Sequence, residues 1–154
     1  MDEKKATAAK TAKENFLVFL AEKRTYAVPS KAVQEILRAA KIYEMPFTPP
    51  LIRGVIHYRS EIFSVVSTPM VLSNSAVVEH AETTEVVIVL KREDDNISLS
   101  ATEIKGFAEA ELKELPPEQS DTLLLGEISF DTEKAFVLNI DEIENCMRNE
   151  LGYK

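Results

Sequence analysis

The side chains in this chain that could do chemistry are few, and their spacing does not gather them. Three are possible metal ligands: His57, His80 and Cys146. Zinc sites draw on short pairs such as CxxC, HxxxH or HExxH, which set two donors on one turn or helix face. No such pair occurs, and His57 falls in a strand pattern while His80 falls in a polar stretch. A cysteine nucleophile needs a base and an electropositive setting. Cys146 stands instead among Glu142, Glu144 and Glu150, which favour the thiol, and beside Ile143 and Met147, which suggest packing. The serine elbow GxSxG is absent, and four glycines do not build a phosphate-cradling loop. The adjacent carboxylates Asp94–Asp95 and Asp141–Glu142 point different ways and read as turn and cap charges. The expectation is no enzymatic activity, no metal and no cofactor.

The elements that carry these residues are short and mostly extended. A length of 154 residues and 45% hydrophobic content suffice for a real core without disulfides or metals. Residues 1–14 are rich in Ala, Lys and Thr without apolar periodicity, and are expected to be a mobile tail. Phe16–Leu20 and Thr25–Val28 read as a hairpin across a charged turn. Pro29–Ser30 is expected to open a short helix, capped by Ser30, with Val33, Ile36 and Leu37 at helical spacing. A proline-stiffened connector over 46–50 leads to a second hairpin, Leu51–Tyr58 and Ile62–Val66, with its turn at 59–61. Thr68–Pro69 starts a brief helical turn and 73–84 is a polar loop. Val86–Leu90 is apolar throughout, as in a strand buried on both faces. Ile97–Ala101 alternates, as in a half-buried strand. Ile104–Leu112 extends the sheet, and Leu123–Phe130 pairs with Lys134–Asn139. Asp141 is expected to cap a terminal helix with Ile143, Met147 and Leu151 on one face. About ten short strands at this spacing argue for an all-β fold of barrels, and no tandem repeat of fixed period is visible.

Charge narrows the function classes. A net charge of −8 opposes phosphate binding, so no nucleic-acid partner is expected, an RNA-binding barrel included. The N-terminal stretch lacks the apolar run of a secretory signal. No apolar stretch approaches the ~20 residues that span a bilayer, so direct membrane insertion is not expected. One cysteine precludes an internal disulfide and suits a reducing, cytoplasmic setting.

From Phe16 to about Met147 the segments resemble the CheW-like domain family. The opening FLVF, then TYAV and PSKAVQEIL, is similar to the family's first hairpin and its V-x-E-[IV] signature. Pro50–Arg59 (PLIRGVIHYR) resembles the run P-x-[IF]-x-G-[VI]-x-N-L-R-G. VVIVL at 86–90 and Leu125–Gly126 sit where the family has similar residues. The chain departs at His57-Tyr58-Arg59-Ser60, where the family commonly reads N-L-R-G. It departs again at Ser64 and Ser67, within the run where I-P-V-V-D-L is usual, and at Thr102, in place of an aspartate.

The resemblance implies two SH3-like five-stranded β-barrels, a CheW-like domain over 15–150, packed on a shared hydrophobic interface. It implies an adaptor that couples the cytoplasmic tip of a methyl-accepting chemotaxis receptor to the regulatory domain of a CheA-type histidine kinase. Carried over, the receptor groove involves Val33, Glu35, Ile36, Arg59, Val86 and Ile104. The residues agree in kind: apolar positions suit a helical stripe, and Arg59, oriented by Glu35, suits a carboxylate or helix-end carbonyl. Met45, Phe47 and Leu51 are expected as an exposed kinase-facing patch, with burial in the barrel the alternative. Other functional readings are a diverged adaptor for a non-chemotactic two-component kinase, and a small β-barrel enzyme or ligand carrier.

Overall fold

The computed structural model describes residues 12–72 and 85–151. The polar loop at 73–84, with His80, and all of the tail before Ala12 lie outside these residues. Among the described residues are ten strands: β1 (Glu14–Ala21), β2 (Arg24–Pro29), β3 (Val33–Ala40), β4 (Ile52–Tyr58), β5 (Glu61–Val66), β6 (Glu85–Leu90), β7 (Ile97–Ala101), β8 (Glu103–Ala110), β9 (Leu124–Phe130) and β10 (Glu133–Leu138). Two α-helices accompany them: α1 (Thr68–Leu72) and α2 (Ile140–Leu151).

The strands form two five-stranded sheets, in the orders β8-β1-β2-β10-β9 and β3-β6-β7-β5-β4. In each, two antiparallel hairpins meet along a parallel pair, β2 with β10 and β5 with β7. The fifth strand is exchanged. β3 follows β2 in sequence but pairs with β6, while β8 follows β7 but pairs with β1. The two halves of the chain are therefore structural repeats that have traded a strand.

Three apolar cores result. Phe16, Val18, Ile128 and Val137 fill the first sheet's own interior, and Ile56, Val65, Val87 and Val89 fill the second's. The largest core lies between the sheets and takes Leu17, Phe19, Tyr26, Ile88, Leu90 and Leu99. β1 and β6 send alternate residues into two different cores, which is why FLVF and VVIVL are apolar at every position.

Three sequence expectations are corrected. The helix after Ser30 is only a 3-10 turn over Ser30–Ala32, without a side-chain cap, and the chain then runs as β3. A bulge between Val33 and Glu35 puts Val33 and Ile36 against the same core, imitating helical spacing within a strand. β7 is buried on both faces, not alternately exposed. Its small serines are satisfied internally: Ser98 Oγ donates to the Ser64 carbonyl at 2.9 Å, and Ser100 Oγ accepts from the Thr68 amide at 3.1 Å. Finally, α2 is capped by Asn139, whose Oδ1 accepts from the Glu142 amide at 3.3 Å. Asp141 points to Arg92 instead, at 2.6 Å.

α2 buries Ile143 and Met147 in the shared core. An ionic clasp holds it to the β6–β7 turn. Arg92 also bonds Glu144, at 2.8 Å from Nε and 2.6 Å from Nη2, and Arg148 Nε bonds Asp95 at 2.6 Å.

Candidate functional site

The exchanged strand β3 carries one side of the site on each of its faces. On the inner face Val33 lies opposite Leu90 and Ile36 opposite Ile88 of β6. Val86 lies opposite Ala101, and Ile104 on β8 opposite Phe19 of β1. All four are half-buried and pack against the shared core at its border. They thus supply an apolar margin from β3, β6 and β8, between the two sheets.

On the other face Glu35 meets the β4–β5 turn. Tyr58 donates a short hydrogen bond to Glu35 Oε1, and Arg59 Nη2 lies 3.8 Å from the same oxygen. The Arg59 guanidinium stands 5.1 Å from the centroid of the Tyr58 ring. The hydrogen bond to Glu35 holds the Tyr58 phenol above its usual range, with burial adding to it. Arg59 remains 68% exposed, so it is aimed by the pair without being consumed by it. An open cleft of about 510 Å³ adjoins it, with Gln34, Phe63, Lys91 and Arg92 among its walls. Glu35 and Arg59 come together as the sequence suggested, while the apolar residues border the opposite face of β3. Tyr58 is a residue the sequence reading missed. It stood out only as a departure from the N-L-R-G pattern, and its phenol fixes the carboxylate that aims Arg59.

The proposed kinase patch divides. Met45 is about half exposed and Phe47 fully exposed, on a loop where Phe47 takes φ +63°. Leu51 is only 6% exposed and belongs to the shared core, so it adds nothing to an exposed patch. Its burial follows from its place at the root of β4, where its carbonyl accepts from the Ser67 amide at 2.7 Å. At Cys146 burial, and then Glu150, pushes the thiol up and away from a nucleophile. Among the described residues no three His, Cys, Asp or Glu side chains gather as a metal site requires. None of the described helices is long and apolar enough to cross a membrane.

Comparison with known proteins agrees with this architecture. Among solved structures the chain is similar to the scaffolding protein TtCheW from Thermoanaerobacter tengcongensis, with a TM-score of 0.67 at 18% identity. The match covers 82% of this chain and 89% of that one. At that identity the likeness is one of fold. No curated protein sequence gives a significant match. The CheW-like domain model matches residues 15–146, nearly all of the described residues. With two strand-exchanged five-stranded sheets and a family match along that length, the chain belongs to the CheW-like domain family.

Proposed function

We propose that the chain is a cytoplasmic chemotaxis adaptor that couples a methyl-accepting receptor tip to the regulatory domain of a CheA-type histidine kinase. The family is one of scaffolds and adaptors, not of enzymes. Residues 15–150 would be the working unit and 1–14 an appended tail. The observation that carries the reading is Arg59, aimed by Glu35 and Tyr58 yet free to reach a partner. A receptor hairpin offers apolar stripes and polar helix ends. Val33, Ile36, Val86 and Ile104 suit the stripes, and an exposed guanidinium suits a carboxylate or terminal carbonyl. Met45 and Phe47 form the proposed kinase contact, because exposed apolar side chains on a loop favour burial against a partner.

The test is to titrate the full chain with a receptor-tip fragment and with a kinase regulatory-domain fragment, singly and together. Both should bind, and a ternary complex should form. Binding of neither would end the reading. Binding of the kinase alone would favour the diverged adaptor of a non-chemotactic pathway.

A further inference from the structure

In the first sheet the two outer strands β8 and β9 touch, and the Phe130 ring reaches toward Gly106. The second sheet closes differently. Its outer strands β3 and β4 do not pair, and β3 is irregular between Leu37 and Ala40, with Ala39 at φ +57°. The seam left between them is an open cleft of about 260 Å³. Leu37, Ala40 and Ile56 give it an apolar floor, and Arg38, Lys41 and His57 stand around it with Tyr43. The Lys41 ammonium lies 5.1 Å from the Tyr43 ring centroid, and the His57 ring meets the Tyr43 ring edge-on at 5.7 Å.

No carboxylate lines this cleft, although the chain carries a net charge of −8. Arg53, Arg59, Arg92 and Arg148 all pair with acids. Among the described residues Arg38, Lys41 and His57 have no ion-pair partner. The backbone adds a second feature. Val55 exchanges both backbone hydrogen bonds with Tyr43, so ladder parity turns the amide and carbonyl of His57, two residues on, toward the same outer edge. An unpaired edge beside a cationic, apolar-floored seam suits an extended segment that alternates acidic and apolar side chains.

We infer that the β3–β4 seam is a docking cleft for an acidic extended segment of a protein partner, its carboxylates held by Arg38 and Lys41 and its apolar side chains set on Leu37 and Ala40. The cleft shares no lining residue with the one beside Arg59 and does not depend on which receptor or kinase the chain serves.

The experiment uses the full isotopically labelled chain and a blocked peptide of alternating Glu and Leu, with its Gln–Leu analogue as the neutral probe. The acidic peptide should shift the amide resonances of Arg38, Lys41 and His57 and saturate. It should bind about tenfold or more tighter than the neutral one, and weaken as salt rises. Arg38→Glu with Lys41→Glu should abolish the shifts while the melting temperature holds. Arg38→Gln with Lys41→Gln gives the same readout should the charge reversal disturb folding. Equal binding of the two peptides, shifts confined to other surfaces, or the same shifts from inorganic phosphate at equal concentration would overturn the proposal. The last would leave a bare anion site.

Discussion

Arg59 and Ser60 both sit in the left-handed region, at φ +52° and +67°, and turn the β4–β5 hairpin in two residues. Tight hairpins of this kind favour Asn and Gly, because a Cβ at positive φ costs about 1–2 kcal/mol. Ser60→Gly should therefore stabilise the chain by up to ~1 kcal/mol after the entropy that glycine adds to the unfolded state. On a domain of this size that is about 2–4 °C in a thermal melt; an unchanged or lower midpoint would mean that Ser60 has a contact that offsets the strain. The departure from the family's turn was legible in the sequence, and the glycine that the family places at Ser60 implied a positive φ there, although serine itself carries no such signal. Likewise Glu35 and Arg59 could be named from the motif, whereas the Tyr58 phenol on Glu35 could not. Tyr58→Phe removes that hydrogen bond and should cost about 0.5–1.5 kcal/mol in denaturant titrations, less if water replaces it.

At the scale of elements, α2 and its clasp hold the most sensitive chemistry. The Glu144 side chain is 8% exposed, and its Oε2 has no donor in reach unless it carries the proton itself and gives it to Asp95. Burial, reinforced by Asp95, raises the Glu144 carboxyl above its ordinary 4.5, while Asp95 is held below its ordinary 3.8 by the hydrogen bond with Glu144 and by Arg148. A raised acid stabilises the fold fully below its unfolded value and loses that contribution as pH climbs through its folded value. A lowered acid behaves oppositely and loses its contribution as pH falls through its folded value. α2 should thus dock best at acid pH between the two folded values and loosen as pH climbs through the raised Glu144 value. Glu144→Gln, a neutral isostere, should melt with the parent at acid pH and above it once pH has climbed through the raised Glu144 value; a gap independent of pH would contradict the shared proton. The sequence showed where α2 lies through Ile143, Met147 and Leu151, but not its clasp, because Arg92 and Asp95 lie on a distant turn. β3 was misread for a different reason. A bulge gives a strand the three-residue spacing of a helix, and spacing alone does not separate them.

At the scale of the whole molecule, the two halves repeat an arrangement that their sequences conceal. Gly54 on β4 and Gly126 on β9 occupy equivalent places, each beside a crossing segment bridged at Tyr43–Val55 and Lys113–Glu127. A Cβ at Gly54 would lie 2.5 Å from the Tyr43 carbonyl oxygen, and one at Gly126 closer still to that of Lys113. Backbone cannot give way there as a side chain can, so Gly54→Ala and Gly126→Ala should each cost about 2 kcal/mol or more by denaturant unfolding; a cost below ~0.5 kcal/mol at either would show that the crossing is loose. The fold class and the doubly buried β6 were legible because alternation and apolar runs encode burial, whereas β7, whose small serines alternate with apolar residues, read as half-buried. The strand exchange was not, since pairing partners leave no local trace, and the repeat was hidden because only single residues such as these glycines persist. The exchange makes the shared core, and its border lies on β3 opposite the face where Glu35 aims Arg59. The claim that this region reads a receptor is tested most directly by titrating Arg59→Ala and its parent against a receptor-tip fragment and a kinase regulatory-domain fragment, with melts as control. A lost charge-assisted hydrogen bond of about 1.5–3 kcal/mol should weaken the receptor by about tenfold or more and leave the kinase affinity and the melt unchanged. Unchanged receptor affinity, or equal losses for both partners, would contradict it.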